Sequence, residues 1–197
     1  MQLAYCIPYT YSRLGEFLQG LSSRPEAKQF LKISKLCSSL GGLEVPLLVV
    51  HQGLEDCEQE EEGVPTRCVV VSGRAHPGES NGSFMIEGFI EWLCGDSKEA
   101  CILRRFLVFK IVPMLNPDGV ALGNYRTGLS GRDFNREYRM PDKALFPEVY
   151  HFKKLVSENK ELFGDHLLMF LDFHGHSTKK NTFVYGPEFP IIDKFYY

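Results

Sequence analysis

The strongest constraint on the fold is a set of short apolar runs, each of strand length and each leading to a polar residue. "RCVVVSG" leads to His76, "FLVFKIVPML" to Asn116 and "HLLMFLDF" to His174. Runs of this length, rich in Val, Leu, Ile and Phe, suit strands buried inside a sheet. "LEVPLLVVH" is a strand-like run ahead of them, and "NTFVYG" is a fifth candidate beyond His174. Helical segments lie between. "YSRLGEFLQGLSS" reads as a helix with Thr10 as its cap, and "PEAKQFLKISKL" as a second helix with Pro25 near its start. "ESNGSFMIEGFIEWL" sets Phe84, Met85, Gly88, Phe89 and Trp92 at helical spacing, and "ALFPEVYHFKKLVSENKELF" reads as a long helix. Strands alternating with helices predict an α/β fold, with a mixed, mostly parallel sheet flanked by helices.

In sheets of this kind ligands bind beyond the carboxyl ends of the strands. His76, Asn116 and His174 are far apart in the chain, yet the pattern predicts them at one edge. His76 opens "HPGE", where Pro77 and Gly78 form a turn and Glu79 stands at the mouth of a helix. Two readings stay open here. One is a hydrogen-bonded histidine followed by a glutamate that complements the helix dipole. The other is a pair of metal ligands converging across the turn, with His174 as the third. A His, Glu, His set is one that catalytic zinc sites use, leaving a fourth position for water.

Composition narrows the class. The 197 residues are 44% hydrophobic and 24% charged, as in ordinary globular proteins. No apolar run reaches the roughly 18 residues of a membrane span, and the start of the chain has no signal-peptide pattern. A net charge of −3 offers no basic excess. Neither nucleic acid nor membrane is expected as a partner. The six cysteines show no CxxC and no regular spacing, which favours reduced thiols in a cytoplasmic protein. "LEDCEQEEE" holds six acids and no base, and reads as a solvated loop at about 53–65 between two strands.

Five segments then carry a resemblance: "AYCIPYTYSRL", "SGRAHPGES", "FKIVPMLNPDGVALGNYR", "GRDFNREY" and "LDFHGHSTKKNTFVYG". In this order they resemble the zinc metallocarboxypeptidases, and within them the cytosolic carboxypeptidase branch that removes glutamates. The resemblance implies Zn2+ held by His76, Glu79 and His174, in preference to the nearby His176. It implies that Arg126 polarises the scissile carbonyl and steadies the oxyanion. Asn135 and Arg136 match the pair that grips the substrate's terminal carboxylate, and Asp133 matches the carboxylate that orients the first zinc histidine. These residue types suit the tasks. A planar carboxylate fits forked donors, a fixed cation stabilises an oxyanion, and a metal-bound histidine normally gives its other N–H to a carboxylate.

The family's general-base glutamate lies well downstream of the third ligand, and Glu188 in "YGPEFP" does not match its context. Residues 1–197 therefore read as the N-terminal part of a single catalytic domain, with a sheet incomplete at the C-terminus. The implied substrates are polyglutamate chains on tubulin or acidic protein C-termini. The implied location is the cytoplasm, with the cytoskeleton or cilium as a finer expectation. Two alternatives stand beside hydrolysis. One is an inactive truncated form that binds zinc and glutamate-ended tails. The other is a zinc amidohydrolase of small acyl-amino acids.

Overall fold

Val69, Val70 and Val71 lie in the middle of a five-stranded sheet and point alternately to two cores. The structure is a computed structural model and describes residue 4 and residues 6–52 and 67–186. The acidic segment at 53–65 and Glu188 lie outside the described residues. The strands are β1 (Leu31–Ser38), β2 (Glu44–Val50), β3 (Arg67–Gly73), β4 (Leu107–Val112) and β5 (Leu167–Phe173). Their order across the sheet is β1-β2-β4-β3-β5. β1 and β2 are antiparallel, as are β2 and β4. β3 runs parallel to both β4 and β5. The sheet is mixed and flanked by helices, as the alternating pattern predicts, and its parallel part is the β4-β3-β5 block.

Val69 and Val71 face a core shared with Leu48, Phe109 and Ile111, covered by Leu21 of α1 (Tyr11–Ser22) and Ile86, Ile90 and Leu93 of α2 (Ser80–Leu93). Leu103 of α3 (Lys98–Phe106) packs against the same core. Cys68 and Val70 face the opposite core, closed by Val149, Phe152 and Leu155 of α5 (Pro147–Phe163). This is the period-two alternation of a strand buried on both faces. Thr10 caps α1 as expected, its hydroxyl accepting from the Arg13 amide. Among the described residues no helix is long and apolar enough to cross a membrane.

Three expectations are corrected. The second helix expected from Pro25 is a 3-10 turn at Pro25–Gln29 followed by strand β1. β1 has a bulge between Lys35 and Cys37. Leu31 and Ile33 pack in the first core, whereas Leu36 and Cys37 pack in the second. The bulge hands the apolar side from one face to the other, so the spacing imitates a helix. "NTFVYG" forms no strand. Phe183 and Tyr185 instead gather on the His176 ring and the Lys179 ammonium. In α2 the buried stripe is Gly82, Ser83, Ile86, Ile90 and Leu93, while Met85 and Trp92 are exposed. Small residues decide this. A Cβ on Gly82 would lie 3.0 Å from the Phe173 carbonyl oxygen, so the helix meets β5 along its narrow side.

Candidate metal centre

The carboxyl ends of β3, β4 and β5 lie side by side because the three strands are parallel. After Gly73 the chain turns sharply. Arg74 takes a left-handed backbone, with φ of 59°. Its buried guanidinium donates to the Pro77 carbonyl at 2.8 Å and to the Ser83 hydroxyl at 2.8 Å. That cation ties the strand end, the turn and the first turn of α2 together. Asn116, fully buried after β4, donates to the Ala75 carbonyl at 3.1 Å and accepts from the Gly119 amide at 3.1 Å. It caps α4 (Pro117–Leu122) and braces the residue before His76. Gly78 donates its amide to the Tyr125 carbonyl at 2.7 Å. A Cβ there would stand 2.6 Å from that same oxygen, so this approach requires glycine.

The turn delivers His76 and Glu79 toward each other. Glu79 is the N-cap residue of α2, yet its side chain makes no capping bond. Its Oε1 lies 2.8 Å from His76 Nδ1, and its Oε2 lies 3.0 Å from His174 Nδ1. The Gly175 amide donates to Oε2 at 2.7 Å. One ligand atom from each of His76, Glu79 and His174 can be chosen so that all lie within 4.8 Å of one another. Glu79 stands at the mouth of α2 as the dipole reading has it, and the three residues are brought together as the metal reading has it.

Each histidine turns its other nitrogen to a carboxylate. His76 Nε2 lies 3.0 Å from Asp133 Oδ1, and His174 Nε2 lies 2.6 Å from Asp172 Oδ2. With Nε2 turned to a carboxylate, Nδ1 is the nitrogen that faces Glu79 and the one placed to serve as a metal ligand. Two such nitrogens and one carboxylate oxygen form the donor set of a catalytic zinc site, so the residues present fit that ion. The electrostatics agree. Asp172 first and Glu79 second push His174 up to about 10. Burial favours a neutral Glu79, but the bonds from His174, His76 and Gly175 outweigh it and hold the carboxyl well below its usual range. A pocket that draws protons this strongly is one that favours a cation.

Asp133 also joins the neighbouring loop to the centre. Its Oδ2 accepts from Arg126 Nε at 2.7 Å, and its Oδ1 accepts from the Asn135 amide at 2.9 Å. Burial raises the Asp133 carboxyl, and the Asn135, Arg126 and His76 bonds more than reverse this. Asn135 places its side-chain nitrogen 3.1 Å from His174 Nε2, and its Oδ1 is buried with no partner among the described residues. Arg136 is exposed, and its guanidinium donates to the Asn135 carbonyl at 3.3 Å. Its guanidinium forms no ion pair among the described residues. His176 is exposed and turned away, with Nδ1 accepting from the Thr178 and Lys179 amides.

His76, Glu79, His174, Arg126, Asp133 and Asn135 are thus joined by direct contacts, Asn116 braces the residue before His76, and Arg136 follows Asn135 without touching the triad. Sequence reasoning missed Arg74, Ser72 and Asp172. A charged residue inside an otherwise apolar strand was the available signal for Asp172.

Fold and site together define a metallocarboxypeptidase-like centre, and the chain belongs to the zinc carboxypeptidase family, which matches residues 16–186. Similar proteins narrow the class further. The chain is 43% identical over 185 residues to cytosolic carboxypeptidase 2 of Danio rerio, covering 93% of this chain and 25% of that one. It is 42% identical over 183 residues to cytosolic carboxypeptidase 2 of Homo sapiens, covering 93% of this chain and 20% of that one. It therefore spans about a quarter or less of the length of these relatives. A metallo-carboxypeptidase from Burkholderia cenocepacia has a similar structure, with a TM-score of 0.70 at 31% identity, covering 86% of this chain and 42% of that one.

Proposed function

We propose that this chain contributes to a zinc carboxypeptidase that removes C-terminal glutamates, from polyglutamate chains on tubulin or from acidic protein C-termini. It would act in the cytoplasm, including at the cytoskeleton or cilium, as the N-terminal part of one catalytic domain. The observation that carries the reading is the convergence of His76, Glu79 and His174 beside Arg126 and Asn135. Zinc, when bound, supplies Lewis-acid polarisation of a carbonyl and acidification of water. The chain's own groups supply the rest. Asp133 orients His76 and holds Arg126 next to the metal triad, where a guanidinium stabilises an oxyanion. Asn135 and the exposed Arg136 offer an amide and a forked cation for a terminal carboxylate. The names of the relatives support the protein-tail substrate and the cytoplasmic setting.

One observation favours a second reading, in which the chain binds zinc and glutamate-ended tails without turnover. Among the described residues the carboxylates touching the two triad histidines are Glu79, Asp133 and Asp172, and each is already held by a histidine. General-base catalysis needs a carboxylate within reach of the attacking water. The test is to incubate the zinc-loaded chain with a glutamate-ended peptide and with an acylated amino acid, and to follow products by mass spectrometry. Release of glutamate from the peptide alone supports hydrolysis. Binding without release supports the second reading. Cleavage confined to the acylated amino acid would overturn both in favour of an amidohydrolase.

A further inference from the structure

We infer that Asp172 is a positioning residue for the metal centre, acting through His174 and locked in place by Ser72. The inference rests on the zinc reading above and extends it to a residue that reading does not use. The backbone sets the arrangement. Asp172 and His174 are two residues apart at the end of β5, so strand alternation sends both side chains to the same side. Ser72 of β3 is the register partner of Asp172 in the parallel ladder. Its hydroxyl, fully buried, donates to Asp172 Oδ1 at 2.6 Å. The other oxygen of Asp172 lies 2.6 Å from His174 Nε2.

The chain of contacts is therefore Ser72, Asp172, His174 and then Glu79, at 2.6, 2.6 and 3.0 Å. It fixes which way the ring faces. With Nε2 held by Asp172, Nδ1 is the nitrogen turned to Glu79 and placed to serve as the metal ligand. Asp133 does the same for His76 from the other flank. The two strands that carry the histidines are thus tied to each other by the same serine-aspartate bond that orients the second of them. Asp172 touches neither metal nor substrate in this scheme.

The test uses the full chain with zinc as the probe, and measures the zinc dissociation constant by competition with a chromophoric chelator. Thermal melting of each metal-free protein is followed alongside. Asp172→Ala is expected to weaken zinc by about 10–100-fold. Asp172→Asn, which keeps an acceptor but loses the charge, is expected to recover part of that loss. Ser72→Ala is expected to fall between Asn and wild type. The metal-free melting point of the Asn variant should stay near wild type, which a merely structural role would not allow alongside weakened zinc. Wild-type zinc affinity in a folded Asp172→Ala chain would overturn the inference. If the alanine chain does not fold, wild-type affinity in the isosteric Asp172→Asn chain overturns it equally. Absence of zinc binding in folded wild-type protein would instead refute the underlying zinc reading.

Discussion

β3 and β5 are neighbouring parallel strands, and each leads to a histidine of the candidate metal centre. Their surroundings differ sharply. From Cys68 to Gly73 every residue of β3 is buried, between β4 and β5 and under helices on both faces. Among the described strands β5 lies at the edge beside β3, and it exposes Leu168, Met169 and Phe170. His76 follows suit, being buried, while His174 is only partly so. One half of the site is thus built on the best-covered strand of the sheet and the other half on its least-covered one. The comparison teaches where the site is strong and where it depends on few contacts. The His76–Glu79 half is fixed by Arg74, Asn116 and a glycine turn. The His174 half depends on its ladder with β3, the Ser72–Asp172 bond and the reach of Glu79.

Three measurements sharpen or break this contrast. Amide exchange should show the largest effect. Amides of β3 are expected to exchange at least ~100-fold more slowly than those of the outer half of β5. Equal protection in the two strands would break the comparison. Next come paired truncations. Val71→Ala removes a side chain with 0% exposure and is expected to cost about 2–3 kcal/mol, read as a fall in the urea midpoint. Leu168→Ala, at 42% exposure, should cost below about 0.5 kcal/mol.

The third measurement probes the covered side remote from β5, which carries a cost of its own. Glu148 at the start of α5 is 1% exposed, with Oε1 accepting from the Leu40 amide at 3.3 Å and Oε2 lacking a partner among the described residues. Burial first, with Asp118 nearby, pushes its carboxyl up to about 7 from an ordinary 4.5. Between those values the folded protein holds a proton that the unfolded chain has released. Stability from this group is therefore unpenalised below 4.5 and is lost as pH rises through 7. The loss from pH 5 to pH 7 should be about 2 kcal/mol. Glu148→Gln should flatten that part of the profile. An unchanged slope in the variant would place the titration elsewhere.

Much of this was legible in the sequence, for physical reasons that differ by region. β3 and β4 announce themselves because burial on both faces requires unbroken apolar runs. The strand ends and the short turn put His76, Glu79 and His174 near one edge, but spacing left two readings open, and the three as a ligand set came from the family resemblance. β1 was hidden because its bulge turns a period of two into an apparent period of three to four. The face of α2 was hidden because Gly82 and Ser83 win the contact with β5 by being small, which hydrophobicity alone does not report. Phe183 and Tyr185 looked like strand residues, but their rings pack on His176 and Lys179. Asp172 was overlooked because its meaning lies in the register with Ser72, and register is a property of two strands.

The central claim is that the ends of β3 and β5, with the start of α2, assemble one metal centre. Elemental analysis of the purified chain after dialysis, beside its His174→Ala variant, tests it most directly. The account predicts about one zinc per wild-type chain and loss of that zinc in the variant. Folded wild-type protein without zinc, or a variant that keeps it, would contradict the account.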